Sequence, residues 1–307
     1  MAQTKKQIEA VLAGAGSRPR HRFGQNFMIE PGLVRAIADA GQIAAGDTVI
    51  EVGPGTGTLT EELLERVGPT GRVVAVEIDR DLAAALRGRF AADGRFALIE
   101  GDALAGKHGL NADLAAAIDL ARPAPADGTH APVDTAETPG ARAAVRLVAN
   151  LPYNIASPLV VELLLARVDL LAFTVQKEVA DRLRAGPASA KDYGPLSVVV
   201  QSLAEVEVLR TIPPAAFWPR PKIDSALVRL RRRPPAEAAM AGRERAFGRF
   251  VSAVFSQRRK TVRKGLAPLV PDPAAILAAA GLTGEERPEQ IEPAQLRAMF
   301  LASPPAA

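Results

Sequence analysis

The sequence has no cysteine among its 307 residues, which excludes disulfide bridges and thiolate metal sites. Its three histidines, His21, His108 and His130, are scattered without metal-ligand spacing, so we expect no metal. No apolar run approaches the roughly 18 residues that span a bilayer, and the first residues lack the apolar core of a signal peptide. We therefore expect a cytoplasmic protein that does not enter a membrane.

The positive charge of the chain is concentrated in one stretch. Residues 210–265 hold fifteen Lys or Arg against three acidic residues, a net +12 within a chain whose total is +4. Grouped cations are what a polyanion-binding surface requires, because each neutralised phosphate releases counterions. We favour nucleic-acid binding here over an ordinary solvated charged surface.

The first two thirds of the chain alternate strand and helix patterns. Buried parallel strands are predicted by β-branched, nearly apolar runs at 47–53, 72–79, 95–103 and 145–151. Helical periodicity follows at 58–67 and 80–90. This order predicts an α/β, doubly wound, mostly parallel sheet.

The pattern continues with strand-like runs at 170–176 and 206–212. Residues 223–233 alternate apolar and polar side chains, which predicts an antiparallel edge strand, whereas 196–204 fit a strand or a helix equally well.

Two changes of pattern divide the chain. Residues 122–141 are rich in Pro, Ala, Thr and Asp without apolar periodicity, so we predict a mobile insertion at about 107–144. Beyond residue 235 the periodicity becomes helical, including a helical pattern over 243–270. We therefore predict a domain over 1–235 and a small, basic, all-α C-terminal domain over 236–307.

A glycine turn follows the first strand. Gly53, Gly55 and Gly57 allow the backbone to approach a ligand closely, and the next helix directs free N–H groups at it. Glu77 ends the second strand, where a carboxylate holds ribose hydroxyls, and Asp102 ends the third. We predict a nucleoside-binding site rather than a purely structural turn.

The ligand of this turn is predicted from its departures from the dinucleotide pattern. The third glycine comes one residue earlier than in G-x-G-x-x-G, and Thr58 stands at the usual position. Acidic Glu51, Glu77 and Asp102 would oppose phosphates but suit a cation. S-adenosylmethionine, a sulfonium without phosphate, meets this requirement.

The stretch ANLPYN at 149–154 follows the fourth strand, where such sheets bind ligands. The Asn150 side-chain oxygen and the Pro152 carbonyl could accept the two hydrogens of an adenine amine, and Tyr153 could stack on the base. The alternative is a helix-capping turn, which we disfavour because the glycine turn accompanies it.

An ordered set of motifs resembles the small-subunit (16S) ribosomal RNA adenine N6-dimethyltransferases of the KsgA/RsmA family. The motifs are RFGQNF at 22–27, EVGPGTGTLT at 51–60, EID at 77–79, GDAL at 101–104, NLPYNI at 150–155, QKEVADRL at 176–183, YGPLSV at 193–198, FWPRPKIDSALV at 217–228 and SQRRKTVRKGL at 256–266. The resemblance covers most of the chain except the insertion and the last forty residues or so. It implies a Rossmann-like class I methyltransferase fold and S-adenosylmethionine as the cofactor.

The resemblance also implies roles for particular residues. The cofactor-binding residues would be Asn26, Met28, Gly53, Gly55, Glu77, Asp102 and Asn150. The catalytic residues would be Asn150, Pro152, Tyr153 and Phe217, with Phe217 stacking on the base opposite Tyr153 or remaining in the core. The substrate would be two adjacent adenosines near the 3′ end of small-subunit RNA, within a precursor of the small ribosomal subunit.

The segment 256–266 is predicted to contact RNA. Its cations are Arg258, Arg259, Lys260, Arg263 and Lys264, and arginine bridges phosphates through two hydrogen bonds. A solvated surface is the alternative. We expect a monomer that binds the ribosomal precursor.

Three other functions remain open on the sequence alone. The large-subunit adenine methyltransferases that confer macrolide resistance share the fold, the cofactor and an Asn-x-Pro-Tyr motif, although Leu151 and the segment 256–266 favour the small-subunit enzymes. A small-subunit assembly factor whose methylation is dispensable would carry the same motifs. A nicotinamide dehydrogenase would bind NADH instead of S-adenosylmethionine.

Overall fold

The computed structural model describes residues 3–20, 23–106, 109–122, 143–189, 191–233, 240 and 242–304. The helices are α1 (Lys5–Gly14), α2 (Pro31–Ala40), α3 (Thr58–Arg66), α4 (Arg80–Arg89), α5 (Ala112–Ala121), α6 (Ala156–Leu165), α7 (Lys177–Arg184), α8 (Pro195–Leu203), α9 (Glu244–Ser256), α10 (Val262–Leu266), α11 (Pro273–Ala279) and α12 (Pro293–Ala302). The strands are β1 (Phe27–Met28), β2 (Thr48–Val52), β3 (Arg72–Glu77), β4 (Phe96–Glu100), β5 (Val145–Asn150), β6 (Leu170–Gln176), β7 (Ala204–Ile212), β8 (Phe217–Trp218) and β9 (Ser225–Arg232).

The chain divides into two compact units. The first contains the described residues of Met1–Ala180 and Glu207–Arg232, and the second those of Asp181–Val206 and Arg233–Ala307. Helix α8 therefore belongs with the C-terminal helices, whereas the sequence pattern assigned it to the first domain. The reason is its apolar side chains, which pack against α9 and α12. The basic stretch 210–265 is likewise divided between the two units.

The first unit is built on a sheet with the strand order β4-β3-β2-β5-β6-β9-β7. Five neighbouring strands pair in parallel, namely β4, β3, β2, β5 and β6 in sheet order, and β9 pairs antiparallel with β6. The predicted doubly wound, mostly parallel sheet is confirmed. Strand β9 lies inside the sheet, between β6 and β7, rather than at an edge. Among the described strands, β7 forms the edge next to β9 and β4 forms the opposite edge.

The order of the strands creates the site. From β2 the chain builds outwards through β3 and β4, then returns to place β5 on the other side of β2. The carboxyl ends of β2 and β5 therefore lie side by side at the point where the strand order reverses, which is where open α/β sheets bind ligands. The glycine turn follows β2 and the ANLPYN turn ends β5, so both open into this crevice.

The predicted insertion is only partly described. Helix α5 forms within it, and Leu114 and Ile118 bury its apolar face. Residues 123–142 lie outside the described residues, so the mobility predicted for this segment stays a prediction.

The second unit is helical, with α9 as its longest described element. Phe247 of α9 meets the ring of Phe300 edge-on, and the Tyr193 hydroxyl donates to the carbonyl of Ile291 at 2.7 Å. The helical prediction over 243–270 is wrong between α9 and α10. The chain turns there because the Val262 N–H donates to the carbonyl of Glu286, which places Val262 in the core.

No helix in the described ranges is both long and apolar enough to cross a membrane.

Candidate active site

The glycine turn after β2 has a backbone that side chains would obstruct. Gly53 and Gly55 adopt positive φ angles of 75° and 60°. A Cβ at Gly53 would lie 3.3 Å from the ring of Pro152, and one at Gly55 would lie 3.0 Å from the ring of Phe27. The absence of side chains therefore lets the turn lie against both the ANLPYN segment and β1.

Glu77 lies at the end of β3 and is almost fully buried. Its carboxylate accepts hydrogen bonds from the backbone N–H groups of Gly55, at 3.0 Å, and Asp79, at 2.9 Å. Burial disfavours the charged form more strongly than these bonds favour it, and raises the pKa of Glu77 to about 7. Near neutral pH the carboxyl group beside the glycine turn is therefore present in both its protonated and its ionised form.

Glu51 lies on β2 and is only 1% exposed. Thr60 of α3 donates a hydrogen bond of 2.6 Å to it. Desolvation is the largest effect and raises its pKa to about 8, against the lowering effect of the Thr60 bond. The expectation of three negative carboxylates around one cleft is therefore wrong for Glu51 at neutral pH, because the sequence does not reveal its burial.

The N-terminal segment before β1 is tied to the acidic turn after β3. The Arg20 guanidinium donates to the carboxylate of Asp79 at 2.9 Å, and the Gln25 amide donates to the same carboxylate at 3.2 Å. Asp79 in turn caps α4 by accepting from the N–H of Asp81. Asn26 and Met28 are thereby held at one wall of the pocket. Local sequence patterns do not reveal this network, since Arg20 and Asp79 lie some sixty residues apart.

Asn150 is the last residue of β5, and both ends of its side-chain amide are bonded. The Nδ2 group donates to the backbone carbonyl of Asn26 at 2.8 Å. The Oδ1 atom accepts a hydrogen bond from the hydroxyl of Thr174 on β6. The amide is therefore fixed at the pocket wall, with one lone pair of Oδ1 uncommitted to Thr174.

Pro152 and Tyr153 of the ANLPYN turn differ in how strongly they are hydrogen-bonded. The Pro152 carbonyl accepts only a long bond of 3.3 Å from the N–H of Ile155. The Tyr153 hydroxyl lies 2.6 Å from that of Ser225 on β9, and burial raises the pKa of Tyr153. The contact with Ser225 anchors the turn to β9.

Most of the predicted small-molecule site residues surround one pocket. Its lining includes Asn26, Met28, Gly53, Glu77, Asp102, Asn150 and Pro152. Gly55 joins them through its bond to Glu77. Tyr153 is not among the described lining residues, and neither is Phe217. Phe217 is 2% exposed, pairs with Met28 through β8 and β1, and lies in the hydrophobic core.

Several pocket residues that were not predicted as site residues lie inside the motifs themselves. Ile78 follows Glu77 and leaves 40% of its surface exposed at the pocket, although isoleucine at a strand end usually packs inside. Gln25 lies in the RFGQNF motif and Asn154 in NLPYNI. The motifs were visible, but which of their side chains face the pocket depends on turn geometry.

The cations predicted to contact RNA lie around the turn between α9 and α10 in the second unit. Arg259, Lys260, Arg263 and Lys264 are exposed, and Arg258 is partly exposed. Arg258 lies 3.6 Å from the carboxylate of Glu289. Arg263 donates to the carbonyl of Thr283. These positions leave the RNA-binding role a prediction.

The pocket suits a nucleoside ligand that carries no phosphate at the turn. The missing side chains at Gly53 and Gly55 let the glycine turn pack against Pro152 and Phe27 at the edge of the pocket. Gly53, Glu77 and Asp102 line the pocket, and the two acidic residues provide carboxyl oxygens there. A doubly wound sheet with this crevice and these groups defines a Rossmann-like class I methyltransferase, whose cofactor is S-adenosylmethionine.

Comparison with known proteins shows which family of methyltransferases the chain resembles. The family model for ribosomal RNA adenine dimethylase matches residues 16–302. A protein of Anaeromyxobacter dehalogenans named ribosomal RNA small subunit methyltransferase A is 43% identical over 296 residues, which cover 94% of this chain and 95% of the relative. A protein of the same name from Magnetococcus marinus is 40% identical over 291 residues, with 94% and 93% covered.

Solved structures agree on the fold. A dimethyladenosine transferase from Plasmodium falciparum has a TM-score of 0.65 at 21% identity, covering 89% of this chain and 96% of its own. The 23S rRNA methyltransferase ErmE has a TM-score of 0.59 at 24% identity, covering 91% and 99%. The chain belongs to the ribosomal RNA adenine dimethylase family.

Proposed function

We propose that the protein transfers methyl groups to N6 of two adjacent adenosines near the 3′ end of small-subunit (16S) rRNA. It would act in the cytoplasm, as a monomer, on a precursor of the small ribosomal subunit. Relatives with about 40% identity carry the name of a small-subunit rRNA methyltransferase. The observation that carries the proposal is the Asn150 amide, held at the wall of the nucleoside pocket beside the Pro152 carbonyl.

Binding of the cofactor is assigned to residues on three strand ends. The Glu77 carboxylate would accept the ribose hydroxyls, Asp102 the adenine amine, and the turn at Gly53 and Gly55 would lie against the methionine part. Asn26 and Met28 would contact the cofactor from the N-terminal segment. S-adenosylmethionine, when bound, supplies an electrophilic methyl group on a sulfonium.

The residues of the ANLPYN turn prepare the acceptor. An adenine amine is a poor nucleophile because its lone pair is delocalised into the ring. Asn150 Oδ1 and the Pro152 carbonyl would accept its two hydrogens and favour a tetrahedral nitrogen whose lone pair is available. The nitrogen held in this way would take up the methyl group that the sulfonium of bound S-adenosylmethionine supplies, and would release a proton to water. Alignment supplies the catalysis, without a covalent enzyme intermediate.

The target base must leave its helix to reach this turn, at a cost of a few kcal/mol. Tyr153 would offset part of that cost by stacking, and its bond to Ser225 restricts the ring. Phe217 is buried in the core, so a stacking role for it requires a rearrangement of β8. The core role that its sequence position also allowed fits the contacts better.

Mass spectrometry of small-subunit RNA nucleosides, from cells with and without the protein, tests the reaction. We expect N6,N6-dimethyladenosine only with the protein. In vitro, wild-type enzyme should label the small subunit, whereas Asn150→Ala should abolish transfer and leave subunit binding nearly intact. Label in large-subunit RNA would favour the macrolide-resistance type instead. Loss of both transfer and binding in Asn150→Ala would indicate that this residue is structural.

The basic turn between α9 and α10 is proposed to bind the rRNA backbone. Replacing Arg259, Lys260 and Lys264 by Gln should lower the salt slope of subunit binding by about two to three, since each phosphate contact contributes roughly 0.7 to 0.9. A matched control replaces three exposed cations of the first unit, Lys6, Arg35 and Arg72. Equal slopes for the two triple variants would contradict an RNA contact at this turn.

A further inference from the structure

We propose that Thr174 is a positioning residue for the Asn150 amide, a role that rests on the proposed function of Asn150. Thr174 lies on β6 and donates its hydroxyl hydrogen to Asn150 Oδ1. It does not line the pocket as described, so it would act through Asn150 rather than on the substrate.

The position of Thr174 in the sheet makes this contact specific. Strand β6 has the sequence LLAFTVQ, and its residues from Leu170 to Val175 are all buried. Thr174 is 0% exposed and is the only polar side chain among them. The parallel register pairs Thr174 directly with Asn150 of β5, so their side chains share one face of the sheet. A hydroxyl buried there costs free energy unless it is bonded, and the Asn150 oxygen provides the bond.

The hydrogen-bonding capacities of its two partners determine the orientation of the Asn150 amide. The backbone carbonyl of Asn26 only accepts hydrogen bonds, so the nitrogen of the Asn150 amide faces Asn26. The oxygen consequently faces Thr174, whose hydroxyl donates to it. The two partners together leave a single orientation, with the second lone pair of Oδ1 available for the target amine.

The opposite orientation would be unproductive. A flipped Asn150 would direct N–H groups at the target amine, which must donate its own hydrogens for its lone pair to be free. The Asn26 carbonyl disfavours this flip, because the flip would bring the amide oxygen against the carbonyl oxygen. Thr174 disfavours it further, because its hydroxyl can donate to the Asn150 amide oxygen only in the productive orientation. Threonine is β-branched, so its own side chain has few alternative conformations.

The test uses two variants of Thr174. Thr174→Val keeps the shape and removes the donor, whereas Thr174→Ser keeps the donor and removes a methyl group. Thr48→Val is the matched control, because it makes the same change in the same sheet at the first residue of β2. Each protein is assayed for kcat and KM on small-subunit precursor, for S-adenosylhomocysteine affinity by calorimetry, and for thermal unfolding.

We expect Thr174→Val to lower kcat about tenfold, the effect of one hydrogen bond of ordinary strength. The KM for S-adenosylmethionine and the S-adenosylhomocysteine affinity should stay within about twofold of the wild type. Thr174→Ser should restore most of kcat although it leaves a small cavity. Neutron diffraction, which distinguishes the amide nitrogen from the oxygen, should show more than one orientation of the Asn150 amide in Thr174→Val and a single one in Thr174→Ser. Thr48→Val should retain the wild-type kcat.

Three results would overturn the role of Thr174. They are a wild-type kcat in Thr174→Val, equal loss of kcat in the Val and Ser variants, or a loss of kcat matched by an equal loss of S-adenosylhomocysteine affinity. None of these results would contradict the proposed function if Asn150→Ala abolishes methyl transfer. Full activity of Asn150→Ala would instead refute the proposed function, and the role of Thr174 with it.

Discussion

Replacing Glu51 by Gln should change how the stability of the ligand-free protein depends on pH. Burial raises the pKa of Glu51 from 4.5 to about 8, so the folded protein holds a proton that the unfolded chain has released. This contribution to stability is complete below about pH 4.5 and is lost as the pH rises through about 8. The wild type therefore loses up to about 5 kcal/mol of stability over this range, at 1.36 kcal/mol per pKa unit.

Glutamine resembles the protonated carboxyl in shape and charge, and its oxygen can still accept the bond from Thr60. The melting temperature of Glu51→Gln minus that of the wild type should therefore rise between pH 5.5 and 8.5, by up to about 10 °C for a chain of this size. Thermal unfolding by circular dichroism at four pH values measures it. Taking the difference between two proteins cancels groups that titrate equally in both.

Glu65→Gln is the matched control, because Glu65 is exposed on α3. Its difference from the wild type should not change with pH. A Glu51→Gln difference that is also independent of pH would mean that Glu51 has the same pKa in the folded and unfolded chains, and would refute the raised pKa of this group.

Three further predictions concern Glu77, the glycine turn and the ANLPYN turn. In the ligand-free protein the pKa of Glu77 is about 7, and ribose hydroxyls bind its ionised form. Calorimetry should therefore show the affinity for S-adenosylhomocysteine falling by up to about tenfold per pH unit below pH 7. An affinity that does not change with pH would contradict the role of Glu77. Gly57→Ala should lower the free energy of unfolding by about 2 kcal/mol in a denaturant titration, because φ is +79° and the new Cβ would lie 2.9 Å from Phe90; unchanged stability would show that the turn relaxes. Ser225→Ala frees the Tyr153 hydroxyl and should raise the KM for RNA a few-fold without changing S-adenosylhomocysteine affinity, and an unchanged KM would argue against stacking by Tyr153.

Much of the first unit was predictable because buried parallel strands leave a strong local signal. The runs at 47–53, 72–79 and 145–151 became β2, β3 and β5 within a residue or two. Residues that end such strands must meet at one edge of the sheet, so Glu77 and Asn150 could be assigned to one crevice without coordinates.

The remaining features depend on distances that local patterns do not encode. The bond between Thr174 and Asn150 follows from the register of β5 and β6, and a shift of one residue would have removed it. The raised pKa of Glu51 follows from burial beneath α3, which an isolated strand sequence cannot show. Residues 196–204 fitted either a strand or a helix by period, and their packing against α9 and α12 decided for helix α8.

The hydrogen bond from Asn150 to the Asn26 carbonyl joins positions 124 residues apart in sequence. It would make the residue ahead of β1 a component of the proposed reaction centre, although that residue comes before the main sheet in the sequence. During synthesis this residue is made first but gains its partner only when β5 has emerged, so an incomplete chain has no assembled centre. A nascent chain therefore cannot form this contact before β5 has been made.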